Sequence, residues 1–283
     1  MNDFFVVIFT IAAIVLVLFF ATLLFRAARI KNRKRPGLKT PDPEPDIARR
    51  AAESLSAVIR FETVNTGNKR DFDASSFRSL HSYLKTRYPS FHKQASIETV
   101  NDYSLVYRLP GRGEAPPYLF SANLDVVPAS GHWEHEPFSG DIENGMVWGR
   151  GAIDGKSVFV CMLEAAERLA ADGIVPPRDL YFAFGHDGES GGAEGALAIS
   201  ERFRDKHLTF DLVLEGGTPI TRELLPLGQP LALVSVTEKG KLTLGLRVAS
   251  TGGHTAIPPR HTALALLSEA ICRVDYRERP PVP

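Results

Sequence analysis

Acidic and amide side chains follow several predicted strands, at points where a parallel sheet commonly collects its ligands. Asn123 and Asp125 lie two residues apart after a short apolar run, and Glu215 follows another such run. Asp154 lies in the glycine-rich turn GRGAIDGK, and Glu189 lies in the turn GHDGESGG. Taken singly, each acid is more often a helix cap or a solvated loop charge. Together they favour an oxygen-rich metal site, since zinc accepts Asp and Glu alongside His.

Other kinds of site are disfavoured by motif and composition. The glycines, lysine and hydroxyl that a P-loop requires are not arranged as one here, and GRGAID lacks the spacing of a dinucleotide fingerprint. Lys+Arg and Asp+Glu are both 33, so no net field gathers nucleic acid, and no nucleic-acid partner is expected. Cys161 and Cys272 are the only cysteines, too few for a disulfide framework or a thiolate zinc site. We expect both to be small buried apolar side chains.

The candidate residues are positioned by alternating strands and helices. Apolar spacing predicts helices over 46–61, 77–88, 156–169, 193–203 and 262–274, and strands over 103–109, 118–122, 178–184 and 210–214. Such alternation predicts an α/β, doubly wound and mainly parallel sheet with helices on both faces. The polar groups at 123–125, 186–189 and 215 each follow a strand, so the pattern predicts a single site at one edge of the sheet.

The amino-terminal run over residues 4–25 carries no charge, and basic residues follow it. About 22 apolar residues at about 1.5 Å each would cross a bilayer core of about 30 Å. No positive charge precedes the run, unlike a signal peptide, so we interpret residues 1–35 as an uncleaved single-pass anchor with a basic flank. The positive-inside rule then predicts a domain on the cytoplasmic side. A buried core helix is the alternative reading.

The remaining chain divides into three predicted segments. Residues 36–45, rich in proline, predict a semi-rigid linker between membrane and domain. Residues 46–232 carry the strand–helix pattern. Residues 233–283 predict a hairpin turning near Gly240 and one helix, which together bury little surface. We therefore expect an incomplete second domain there.

Several long motifs, in order, resemble one known family. They are SANLDVVP, HWEHEPFSGDIENGMVWGRGAIDGK, FGHDGESGGAEGA, VSVTEKGKLTLGLRV and GGHTAIPPRHTA. They are similar to those of the two-zinc metallopeptidases and amidohydrolases, which include aminoacylases, acetylornithine deacetylase and glutamate carboxypeptidases. The similarity is greatest to the branch of carboxypeptidase S and N-fatty-acyl-amino-acid hydrolases. The resemblance implies a zinc-peptidase domain interrupted by an α+β lid that often mediates dimers, and a small peptide or N-acyl-amino acid as substrate.

The resemblance also implies roles for particular residues. Asp154 falls at the position that bridges two zinc ions, and Glu189 at a carboxylate ligand of the second zinc. Asp125 falls where an aspartate orients the first histidine ligand. His254 falls at the lid histidine that contacts the substrate carbonyl, commonly across a subunit boundary. A metal-bound water, deprotonated by a glutamate, would attack the scissile carbonyl.

The chain departs from the family pattern at several of these positions. Asn123 stands where the family has a histidine ligand, and Gly188 stands where it has the general-base glutamate. Glu215 either replaces an aspartate ligand or lies out of register, and the final histidine ligand would fall after Pro283. Loss of a general base costs roughly 10²–10⁴ in rate. We therefore expect weak or no zinc binding and little turnover.

Three hypotheses remain open from the sequence. The first is an active zinc amidohydrolase that tolerates its substitutions. The second is an inactive membrane-anchored pseudoenzyme with a binding or partner role. The third is a non-functional fragment whose unpaired sheet edges prevent stable folding.

Overall fold

The computed structural model describes residues 2–29, 44–217, 220–221, 231–237, 240, 243–249 and 261–275. The chain divides into two compact units, Met1–Gly216 and Gly217–Pro283. The predicted domain boundary after residue 232 falls inside the second unit and stays a prediction. Most of the predicted linker, and His254, lie outside the described residues.

The first unit is built on a five-stranded sheet in the order β1-β2-β6-β3-β7. Its strands are β1 (Ser96–Val100), β2 (Ser104–Leu109), β3 (Tyr118–Asn123), β6 (Leu180–Gly185) and β7 (Leu212–Glu215). A separate two-stranded ribbon joins β4 (Ile142–Glu143) to β5 (Met146–Val147).

Helices precede, connect and follow these strands. They are α1 (Asn2–Arg29), α2 (Pro45–Ile59), α3 (Ala74–Arg87), α4 (Pro89–Gln94), α5 (Lys156–Ala171), α6 (Ala196–Asp205) and, in the second unit, α7 (Ala263–Asp275). A short 3₁₀ turn spans Gly188–Ser190. The five predicted helices and four predicted strands are each present, with ends shifted by a few residues.

The prediction of a mainly parallel sheet is wrong, because the sheet is mixed. Strand β3 pairs in parallel with β6 and β7, whereas β2 pairs antiparallel with both β1 and β6. The β1–β2 hairpin is closed by Asn101 and Asp102, whose φ angles are 48° and 67°. Positive φ favours such short polar residues in a tight turn. Strand β1 and helix α4 were not predicted, because β1 exposes most of its side chains and α4 has only 6 residues.

Helices pack on both faces of the sheet, as predicted. Successive side chains of a strand point to opposite faces. In β2, Leu105, Tyr107 and Leu109 pack into the larger core with α2 to α5, while Val106 packs into the smaller core with α6. The sheet therefore forms a middle layer, and the carboxyl ends of β3, β6 and β7 point to the same edge.

The expectation for the cysteines is wrong, since Cys161 and Cys272 are both exposed. On α5, Val160 and Leu163 face the core as predicted. At about 100° per residue, Cys161 is turned away from the apolar stripe that they form. Cys161 therefore lies next to apolar residues in sequence but not on the buried face of α5.

The second unit is described at fewer positions. The helix predicted over 262–274 is confirmed by α7. The predicted hairpin depends on positions 238–239 and 241–242, which lie outside the described residues. Residues 231–237 and 243–249 form no strand, although an isolated antiparallel bridge joins Thr221 to Leu231.

Helix α1 is long and apolar enough to cross a membrane. Its window Phe9–Arg26 has a mean hydropathy of 2.4 and none of it is buried. A helix of 28 residues spans about 42 Å, more than a bilayer core of about 30 Å. A signal sequence or the core helix of a soluble protein meets the same criteria of length and composition.

A fully buried lysine joins the start of α5 to the end of α2. The ammonium group of Lys156 donates to the carbonyl oxygens of Val58 at 3.1 Å and Phe61 at 2.5 Å. Burial lowers the pKa of Lys156 to about 7, and the negative charge of Glu62 only partly offsets this effect. Because Asp154 lies two residues before Lys156, this link also fixes the turn that carries Asp154.

We expect Lys156→Ala to lower the free energy of unfolding by about 3 kcal/mol, because it leaves a cavity and two unpaired carbonyl groups. Lys156→Met keeps most of the volume and should cost less. Lys69→Met is the control, since Lys69 is exposed, and it should change stability by less than about 0.5 kcal/mol. Urea unfolding followed by tryptophan fluorescence measures all three. Equal effects of Lys156→Ala and Lys69→Met would contradict this role.

Candidate functional site

A cavity of about 320 Å³ opens where strands β3, β6 and β7 end. One end is polar, and the other is formed by apolar side chains of the sheet and α6. The polar end is lined by Asn123, Asp154, Gly188, Glu189 and Glu215; the apolar part includes Leu119, Ala122, Ile199 and Phe203. The structure thus brings together four candidate ligands and the position of the expected general base.

Each polar residue is placed by the end of a strand or by the turn after it. Asn123 is the last residue of β3 and lies opposite Gly185 of β6. Glu215 is the last residue of β7 and lies opposite Ser121 of β3. Glu189 lies in the 3₁₀ turn after β6. Parallel strands end at one edge, so residues distant in sequence meet there.

Asp125 is completely buried and lies beneath this edge. Its carboxylate accepts backbone N–H groups from Gly188 and Glu189, each at 3.0 Å. The Asn123 amide donates to the backbone oxygen of Asp125 at 3.0 Å and to its carboxylate at 3.3 Å. Burial raises the pKa of Asp125 although these donors act to lower it. Asp125 thus accepts hydrogen bonds from the turn and from the Asn123 amide, and its negative charge also acts on the imidazole of His186.

The carboxylates of the cavity repel one another. Burial raises the pKa of Glu189, and the negative charges of Asp154 and Asp125 raise it further. The Asn123 amide and the Arg150 guanidinium act in the opposite direction. The polar end of the cavity is therefore an environment that favours cations and disfavours a further anion.

The sequence grouped residues 186–189 as one cluster, but the structure divides them between two cavities. His186 and Asp187 line a second cavity of about 380 Å³ with Phe72 and Tyr103. The hydroxyl of Ser104 accepts the backbone N–H of His186 at 3.1 Å and lies 2.7 Å from its Nδ1 atom. Of residues 186–189, only Gly188 and Glu189 reach the first cavity.

The sequence pattern did not single out Arg150, whose positive charge acts to lower the pKa of Glu189. Its guanidinium lies 4.8 Å from the centre of the Trp133 ring, and its charge acts on Glu189. Arg150 lies in the same motif, GRGAIDGK, that supplied Asp154. Its presence in the same motif as Asp154 could have indicated that it lies near the site.

Comparison with known proteins identifies the family. The model described as peptidase family M20/M25/M40 matches residues 119–281, more than half of the chain. The chain belongs to this family. The matched range contains every candidate residue of the site, from Asn123 to His254.

Similar proteins in this family are named as carboxypeptidases or as N-fatty-acyl-amino acid hydrolases. A probable carboxypeptidase S-like 2 of Dictyostelium discoideum is 37% identical over 82% of this chain and 46% of its own length. The N-fatty-acyl-amino acid synthase/hydrolase PM20D1 of Mus musculus is 34% identical over 95% of this chain and 54% of its own length. The chain thus spans about half the length of the curated relatives it matches.

A solved structure also aligns with part of the chain. The M20 family metallo-carboxypeptidase Sso-CP2 from Sulfolobus solfataricus is 20% identical, with a TM-score of 0.48. The match covers 60% of this chain and 38% of that one.

The described residues of the cavity do not fit a two-zinc centre. Across the described residues, no three His, Cys, Asp or Glu side chains form a group that could hold a metal ion. The cavity offers carboxylates and one amide, whereas a zinc site ordinarily takes four ligands in a tetrahedron, with nitrogen or sulfur among them.

The repulsion within the cavity predicts a measurable titration. In the metal-free chain, Asp154→Asn should lower the pKa of Glu189, because a neutral neighbour no longer disfavours its charged form. Burial remains, so the pKa should stay above its usual range. Carboxyl ¹³C NMR titration measures this value. Glu114→Gln, in an exposed turn before β3, is the control and should leave the titration unchanged. No difference between the two variants would contradict the proximity of Asp154.

Proposed function

We propose that this protein is an amide-hydrolase relative whose cleft takes a small peptide or an N-acyl-amino acid, with little or no hydrolysis by this chain. The proposal rests on one observation: glycine, at position 188, lines the cavity where the family resemblance implies a general base. Membership of the peptidase family supports the hydrolase class, and the named relatives support the substrate class. Gly188 has no side chain with which to remove a proton, and Asn123 offers no imidazole nitrogen.

The shape of the cavity supports a binding role that survives loss of turnover. Ligand pockets are typically about 300–1,000 Å³ and mostly apolar, with a few polar groups that orient the ligand. Here the apolar walls at Leu119, Ile199 and Phe203 adjoin the polar end. An acyl group or apolar side chain fits the former, and an amide N–H or amino group fits the carboxylates. The carboxylate of an N-acyl-amino acid would point away from this polar end, because like charges repel. The shape of the cavity therefore supports the part of the proposal that concerns binding without turnover.

Zinc content and hydrolysis test the first proposal together. We expect the full-length chain, purified in detergent, to hold less than one tightly bound zinc by atomic absorption. We also expect no measurable hydrolysis of N-acyl-amino acids or dipeptides. The mouse relative PM20D1, prepared in parallel, controls for the assay. Two tightly held zinc ions per chain, or hydrolysis that a chelator abolishes, would show an active metallo-hydrolase instead.

Calorimetry tests the binding role separately. N-acyl-amino acids should bind the full-length chain without being cleaved, and Phe203→Ser should weaken that binding by removing an apolar wall of the cavity. Leu197→Ser is the matched control, because Leu197 lies on α6 but is exposed. Absence of binding to the unmodified chain would remove the proposed role. Equal binding by both variants would show that the ligand lies elsewhere.

We further propose that residues 1–35 anchor the protein in a membrane with the following domain on the cytoplasmic side. The length and apolar character of α1 support the anchor, and the basic residues after it support the orientation. We also propose a homodimer formed through residues 233–283, on the basis of the family resemblance alone.

The anchor and its orientation give a direct test. In cells expressing the chain with a carboxyl-terminal tag, the protein should remain with alkali-washed membranes and begin at its own amino terminus. The tag should be digested by protease only after the plasma membrane is permeabilised and without opening of internal vesicles. Cleavage near residue 25 would identify a signal sequence, and protection of the tag inside vesicles would reverse the orientation.

A further inference from the structure

The turn after β6 is bound tightly to the end of β3 by protein groups alone. Both oxygens of the buried Asp125 carboxylate accept a backbone N–H of that turn, one from Gly188 and one from Glu189, each at 3.0 Å. Hydrogen bonds to a charged acceptor are stronger than neutral ones. The turn is therefore fixed at a definite distance from β3, and Asp125 sets that distance.

The Asn123 side chain fills the gap that this arrangement leaves. A Cβ atom at position 188 would lie 2.8 Å from the Cβ atom and 3.2 Å from the Cγ atom of Asn123. A Cβ atom at position 155 would likewise lie 2.8 Å from the Asn123 Oδ1 atom. These distances are shorter than packed carbon and oxygen atoms adopt. Asn123 thus lies between two residues that must be glycine at this spacing.

The close approach and the hydrogen bonds act together. The Asn123 amide donates to the backbone oxygen of Asp125 at 3.0 Å, which holds its side chain in the gap. A larger residue at 188 would push the turn away from β3 and lengthen the bond from the Gly188 N–H to Asp125. Backbone strain does not contribute to the requirement for glycine at position 188, because the φ angle of Gly188 is not positive.

We propose that Asn123, Asp125 and Gly188 form a metal-independent latch that holds the turn Gly188–Ser190 against strand β3. In this latch Asn123 and Gly188 are a matched pair, because a Cβ atom at position 188 would lie too close to the Cβ atom of Asn123. Asp125 is a positioning residue for the turn. The latch does not depend on whether the cleft binds a ligand.

The contact between positions 123 and 188 predicts the effect of introducing the histidine and the glutamate that the family resemblance implies there. A glutamate introduced alone at 188 meets Asn123 and cannot keep the bond to Asp125. A histidine introduced alone at 123 enlarges the group in a gap already filled. Either single reversal should therefore destabilise the chain.

A double-mutant cycle in the full-length chain tests the matched pair by thermal unfolding in detergent. Gly188→Ala should lower Tm by about 4 °C or more, as expected for overpacking in a unit of this size. Asn123→Gly removes the opposing Cβ atom, so the double variant should unfold at a higher temperature than the summed single shifts predict. Gly185→Ala is the control, because its Cβ atom would lie 3.5 Å from the nearest atom, at ordinary contact distance. Additive shifts, or equal shifts for the two glycine variants, would overturn the pairing.

Hydrogen exchange of the unmodified chain keeps the proposal testable if Gly188→Ala does not fold. The amide protons of Gly188 and Glu189 should exchange slowly and at the same rate before and after exhaustive chelation. The exposed turn residue Gly145 provides the unprotected reference. Rapid exchange of both amides would overturn the latch. Slow exchange that chelation abolishes would show that a metal ion, not Asp125, holds the turn.

Discussion

The buried carboxylate of Asp125 joins the end of strand β3 to the turn that follows strand β6. A carboxyl group so deeply buried is unfavourable unless hydrogen bonds replace its lost hydration. Two backbone N–H groups and the Asn123 amide supply them here. The position of the turn, and with it that of Glu189, follows from the need to satisfy this one carboxylate.

The scaffold around this contact is built from ordinary packing forces. Alternating side chains of β2 and β6 supply two cores, so helices cover both faces of the sheet. The buried Lys156 ties α5 to α2 and thereby fixes the turn that carries Asp154. Two separate contacts, one through a buried carboxyl group and one through a buried amine, hold the two turns of the cavity. Both use backbone groups as partners, so neither requires a metal ion to be satisfied.

Family membership and site chemistry point in different directions for this chain. The motifs belong to the peptidase family M20/M25/M40, whose family model matches residues 119–281. The polar end of the cavity is nonetheless made of carboxylates and an amide, with mutual repulsion that raises the pKa of Glu189. A fold can persist after its chemistry changes, because core packing and loop ligands are specified by different residues. In this chain the two cores are packed, while the cavity carries Asn123 and Gly188.

The sequence by itself determined the alternation of elements, the family and the residues of the candidate site. Apolar periodicity records which face of an element is buried, and motifs such as GRGAIDGK and GHDGESGG record local turns; both are properties of neighbouring residues. The sequence did not show the antiparallel pairing of β2 or the exposure of Cys161, because strand direction and helix rotation depend on partners far along the chain. It named Asn123 and Gly188 as two separate departures. Only the tertiary structure decided that they share one space, since their contact arises where two parallel strands end side by side, and Asp125 draws the turn of one onto the other.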